Sequence, residues 1–183
     1  MASAGRGLGA LIVGNRAAPN YYDFSQRGLV GSFIALLLVT GMSAALPMLL
    51  GFSGGRVFAT VVGGVIQYAL QIGFAAALLR QIGRADGLLP YLVADNWSAF
   101  YITLGTMALG FAGLGGDLIL IALGILVLVV EVNIGRLVLK LQPLQIAMLI
   151  VAQLVGVVLA QFVLSGLFPG LFAEAAAELA ATQ

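Results

Sequence analysis

The chain has 183 residues, 62% of them hydrophobic and only 8% charged, with a formal net charge of +1. Soluble domains carry about 25% charged residues, so this composition excludes a water-covered surface over most of the chain, and the small, dispersed basic content excludes nucleic acid as a partner. Cysteine and histidine are both absent, which excludes disulfides, thiolate chemistry and the commonest zinc and haem ligands, so neither a metal site nor a cofactor is expected.

Residues 1–28 read as a polar, Gly/Ala-rich N-terminal cytoplasmic segment containing Pro19, Tyr21, Tyr22 and Phe24. Asp23 and Gln26 have capping-box spacing, which predicts a helix start nearby. Tyr21 and Tyr22 suit the headgroup layer, where an amphipathic ring keeps its hydroxyl wet. Residues 29–168 form the transmembrane domain, and its first span covers about 29–51. That apolar run exceeds the roughly 7–15 residues of a signal-peptide core, so it reads as a retained helix. Pro47 is placed to kink or end it, and Phe52-Ser53-Gly54-Gly55 reads as an external turn.

The second span, about 57–80, ends at Arg80. The segment 81–97 holds Arg84, Asp86, Pro90 and Asp95 and reads as the longest internal loop, a cytoplasmic contact surface. Asp95-Asn96 is expected to cap the third span, about 98–115, with Trp97 as an interfacial anchor. The short turn Leu114-Gly115-Gly116-Asp117 predicts that spans three and four are adjacent and antiparallel. The fourth span, about 118–137, ends near Arg136 and Lys140. Gln142-Pro143 starts the fifth, about 143–168, with Pro143 in its first turn. Residues 169–183 read as an external tail, with a short surface helix over Ala173–Ala181 bearing Glu174 and Glu178.

The expected architecture is therefore all-α, a bundle of five transmembrane helices. Under that plan Arg6, Arg16, Arg27, Arg80, Arg84, Arg136 and Lys140 fall on one side and only Arg56 on the other. Basic residues stay preferentially cytoplasmic during insertion, so the N-terminus is expected inside and the C-terminus outside. The bias suits an integral protein of the bacterial inner (cytoplasmic) membrane.

Glu131 is the acidic residue set well inside a span, and an intramembrane carboxylate is a functional candidate. It shares a face with Gly124, Leu128 and Gly135, a face read as packed. Its expected roles are a structural hydrogen bond, with Thr103 as a possible partner, a proton or ion site, or a lipid-headgroup or partner contact, and it lies close enough to Arg136 to snorkel or pair near the cytoplasmic interface. Gln67, Gln71, Gln153 and Gln161 also lie within spans and need partners in hydrocarbon. Gln71 and Gln153 are expected at similar depth and could bond each other. Together these residues are either interhelical ties or a solute-binding polar track. Asn133 and Arg136 are expected at the headgroups.

Small residues recur at four-residue steps: Ala69, Gly73 and Ala77; Ala108, Ala112 and Gly116; Ala152, Gly156 and Ala160. Such rows permit close helix approach in lipid. They are internal seams or faces that dock another subunit. No phosphate-binding loop and no nucleophile elbow is present. Ser32, Ser43 and Ser98 have no histidine to pair with, and the single lysine, Lys140, sits at a helix end. No catalytic residue is assigned, and the chain is not expected to be an enzyme.

Five closely spaced spans, a polar cytoplasmic N-terminus and an external C-terminus resemble the Yip1-like superfamily of small polytopic proteins. The stretch Tyr91-Leu92-Val93-Ala94-Asp95-Asn96-Trp97-Ser98 is similar to the segment before the third span in some bacterial members. The resemblance implies a role in membrane organisation and partner recruitment. The functional expectation is a non-enzymatic scaffold or accessory subunit that contacts membrane lipids and other membrane proteins or itself. The alternative is a small oligomeric transporter or channel using the Gln/Glu track.

Overall fold

A computed structural model describes residues 2–49 and 54–170, and within them the chain forms helices α1 (Ala2–Ile12), α2 (Gln26–Leu49), α3 (Gly54–Gln81), α4 (Leu88–Phe111), α5 (Asp117–Asn133) and α6 (Pro143–Leu167). No strand occurs among the described residues. The expected turn residues Phe52 and Ser53, the side chain of Arg56, and the tail from residue 171 with Glu174 and Glu178 lie outside the described part.

Among the described residues, four helices carry stretches long and apolar enough to cross a membrane: Gln26–Leu46, Phe58–Gln81, Asp117–Val138 and Pro143–Leu167. Within each stretch only 17–22% of residues are buried inside the chain. The rest, including Leu37, Val65, Leu120 and Phe162, is exposed apolar surface. A bilayer is the solvent that such a surface requires. The chain is an all-α membrane protein.

α4 is built differently. It buries Tyr91, Leu92, Val93, Ala94, Asn96 and Ser98 along its first half, and it is not among the four apolar stretches. This corrects the expected loop at 81–97. Residues 88–97 are helical, and Asp95-Asn96 lie inside the helix rather than at its cap. Pro90 does not prevent this, because in a first turn the missing N–H has no intrahelical partner to lose. The connection shrinks to Ile82–Gly87, so most of the proposed cytoplasmic contact surface is core. Trp97 likewise stands inside α4, half-buried, stacked on Tyr101 at 6.2 Å and edge-on to Phe100 at 5.7 Å.

The main packed pairs are α3 with α6 and α2 with α4. The short turn between α4 and α5, with Gly113 at φ 71° and Gly116 at φ 111°, does not make those two helices a packed pair. α4 meets the α5 segment chiefly at its far end, in the π-turn Ile134–Val138. α6 then starts at Pro143 with a capping box, Gln145 Oε1 accepting the Gln142 N–H at 3.0 Å. At the start of α2 the cap is Ser25 rather than Asp23. Ser25 Oγ accepts the Gly28 N–H at 3.2 Å, and Asp23 Oδ1 accepts the Ser25 N–H at 3.0 Å. Pro47 neither ends nor caps α2, which continues to Leu49.

The N-terminal segment is not merely polar. α1 turns Ala4, Gly7, Ala10 and Leu11 inward, and Asn133 Nδ2 donates to the Leu11 carbonyl at 2.8 Å. Asn133 is thus a buried clamp and not a headgroup contact. Tyr22 lies under α1, so close that a methyl at Gly7 would approach its ring at 2.6 Å. This overturns its expected place as an interface anchor, whereas Tyr21 stays partly exposed at the edge of the core. The Tyr22 hydroxyl is buried near Ser98, with no partner at full hydrogen-bond geometry among the described residues. Burial pushes its pKa up to about 12, with nearby Ser98 opposing the shift.

Candidate functional site

The polar residues of the bundle gather around α4. On one side Tyr68 of α3 donates to Asn96 Oδ1 at 2.5 Å, and Asn96 Nδ2 donates to Ser32 Oγ of α2 at 3.1 Å. Ser32 in turn donates to the Leu29 carbonyl at 2.8 Å. Every group in this seam has a partner, which is what burial in a low-dielectric medium demands.

On the other side Tyr91 and Asp95, one turn apart, meet Glu131 of α5 and Gln153 of α6. The Tyr91 hydroxyl donates to Gln153 Oε1 at 2.9 Å, and Gln153 Nε2 donates to Glu131 Oε2 at 3.2 Å. The Asp95 carboxyl lies beside that of Glu131. Glu131 and Gln153 also line an open cleft of about 380 Å³ between α3, α5 and α6, together with Gln71, Gly124, Leu128 and Val157. The face through Gly124 and Leu128 is therefore a cleft wall and not a packed seam.

The structure thus joins Glu131, Gln153 and Gln71 in one place, but not with the expected partners. Gln153 bonds Tyr91 and Glu131 rather than Gln71. Glu131 takes Asp95 and Gln153 rather than Thr103. Arg136 turns away, its Nη2 donating to the Gly14 carbonyl at 3.3 Å. Gln67 accepts from Gln161 at 3.5 Å, a long contact eight residues along α6 from Gln153, about 12 Å at the helical rise. The glutamines form two separate groups. Tyr91, Asp95 and Asn96 were missed because a loop assignment hid their helical register; the four-residue step from Tyr91 to Asp95 was the available signal.

The three small-residue rows also part company. Gly156 and Ala160 are buried, Ala152 partly so, and a Cβ at Gly156 would stand 3.0 Å from the Gln71 Cα and N. This row is the α3–α6 seam. Ala69, Gly73 and Ala77 are exposed, with open space at Gly73. Ala108, Ala112 and Gly116 are exposed too. Neither row is an internal seam.

No cluster of three or more potential metal-ligating His, Cys, Asp or Glu side chains occurs among the described residues. No protein-family model, curated protein or solved structure matches the chain.

Proposed function

We propose that the chain is a non-enzymatic scaffold or accessory subunit of the bacterial inner membrane, docking partner membrane proteins or a second copy of itself. The observation that carries this reading is the row Ala69, Gly73 and Ala77, which is exposed on a membrane-length helix, with open space at Gly73 among the described residues. In lipid, where apolar contact alone drives little association, a small-residue row is what lets a second helix approach closely. The two polar groups fit this role as ties between helices, one linking α2, α3 and α4 and the other α4, α5 and α6. The membrane-organising role implied by the Yip1-like resemblance agrees with it.

The proposed topology has five crossings, α4 supplying the third, with the N-terminus cytoplasmic and the C-terminus external. Two contacts support it: Arg84 Nη2 donates to the Leu139 carbonyl at 2.5 Å, and Arg136 donates to Gly14. They draw three basic segments, those holding Arg16, Arg84 and Arg136, to one end of the bundle, as the positive-inside rule requires. The test is mild solubilisation from native membranes, native sizing and mass spectrometry of copurifying proteins. The expected result is a stoichiometric larger complex that Gly73→Leu dissociates. A monomer with no copurifying protein would overturn the reading.

The transporter reading is favoured by one specific observation, the meeting of Asp95, Glu131 and Gln153 at an open cleft. It predicts proton flux in liposomes that Glu131→Gln abolishes. Flux unchanged by that substitution rules out the assigned site.

A further inference from the structure

Beside the π-turn that ends α5, Arg16, Arg136 and Lys140 line an open cavity of about 590 Å³ with Gly14 and Leu137. All three cationic residues are exposed, and no carboxylate is in the lining. Asp86, the acidic residue of the neighbouring connection, is engaged by Arg84 at 3.6 Å. Backbone geometry builds the cavity. Gly14, at φ 67°, leaves room that a Cβ would fill 2.8 Å from Arg136 Nη2. Lys140 adopts φ 53°, a left-handed conformation uncommon outside glycine, held between the Arg84 bond to Leu139 and the Leu141 N–H bond to Gly135 at 2.9 Å. Arg136 uses one donor on Gly14 and keeps the rest of its fork for an anion.

Arg136 is also the rim of a second, apolar groove of about 390 Å³ between α5 and α6, walled by Val132, Leu141, Ile146, Ala147 and Ile150. Ile150 then forms part of the cleft that extends to Leu154 and Val157. From Pro143 to Val157 the α6 side of this path rises about 21 Å, more than the roughly 15 Å of one hydrocarbon leaflet. A cationic cavity at the mouth of a leaflet-length, mostly apolar path, polar where it passes Gln71, Glu131 and Gln153, is complementary to one class of molecule.

We propose that this is a binding site for a phospholipid of net negative charge, with its phosphate among Arg16, Arg136 and Lys140 and an acyl chain along the α5–α6 groove. Basic pockets between helices on the cytoplasmic side are suited to such headgroups. The absence of a carboxylate from the lining disfavours zwitterionic lipids, whose ammonium group would meet only cations. The site is independent of the scaffold reading, since it lies on the segment after α1, the π-turn after α5 and the first turns of α6 and not on the outward row of α3.

The test measures thermal stability of the purified, delipidated protein in mild detergent with added phosphatidylglycerol, phosphatidylcholine or inorganic phosphate. Phosphatidylglycerol is expected to raise the Tm, and the other two to leave it unchanged. Arg16→Gln with Lys140→Gln, both exposed positions, should keep the lipid-free Tm and weaken the phosphatidylglycerol response about tenfold or more. Ala147→Trp fills the groove while leaving all three cations in place, and should weaken the response as well. Equal stabilisation by phosphatidylcholine overturns the proposal, as does a phosphatidylglycerol response indifferent to the double substitution. An effect reproduced by inorganic phosphate and untouched by Ala147→Trp makes the cavity a free-anion site and overturns the lipid assignment.

Discussion

Gly73 and Gly156 are the centres of two small-residue rows with identical spacing, on helices that pack against each other, and the rows have opposite fates. The Gly156 row is pressed against the α3 backbone, and the Gly73 row faces outward. Spacing gives a helix the ability to be approached closely, but it does not choose the side that is approached. On α3 that choice follows the amides. The mean direction of Gln67 and Gln71 lies about 140° around the helix from that of Ala69, Gly73 and Ala77 at 100° per residue. Turning the amides toward α6 leaves the small residues outside. In a bilayer the polar groups orient a helix because hydrocarbon offers them no partner, whereas a small apolar residue tolerates either side.

The largest effect expected from this contrast is at Gly156. Gly156→Leu drives a side chain into the Gln71 backbone, which cannot yield as a flexible side chain would, and should destabilise the isolated protein by about 3 kcal/mol, at the upper end for overpacking. Thermal unfolding in mild detergent reads this directly. Next comes the interior seam around α4. Asn96→Leu strips Tyr68 and Ser32 of their shared partner and should cost about 1–2 kcal/mol, near the upper range for membrane hydrogen bonds. A null effect there would mean that α4 is not held by its polar side chains. Glu131→Gln keeps a hydrogen-bonding group opposite Gln153 and Asp95, so its cost should be smaller, about 0.5 kcal/mol. Smallest of all is Gly73→Leu, expected within about 0.5 kcal/mol of the parent for the isolated chain, with its effect confined to partner association. If Gly73→Leu instead destabilises the monomer as strongly as Gly156→Leu, the contrast between the two rows is broken.

The sequence was most legible where lipid is the solvent. The four long apolar helices follow from uninterrupted hydrophobic length, and their limits lie within a few residues of the expected spans. It was least legible where residues are small or polar but buried. Ala4, Gly7 and Ala10 carry so little apolar surface that α1 reads from sequence as part of a polar, Gly/Ala-rich segment. Tyr91, Asp95 and Asn96 looked like a loop because polar residues beside a proline ordinarily mark one. Glu131 and Gln153 stood out as candidates because amides and carboxyls are rare in apolar runs, yet their partner Asp95 did not, since it was assigned to water.

What the sequence determined by itself is the medium: composition and apolar run length place most of the surface in hydrocarbon, and no tertiary contact is needed for that. What only the tertiary structure decided is the rotation of each helix about its axis, and with it which small-residue row becomes a seam, which carboxyl meets Glu131, and that Arg16, Arg136 and Lys140 share one cavity. Those outcomes depend on residues far apart in the chain satisfying one another's hydrogen bonds and volumes at once, and no local pattern encodes that pairing.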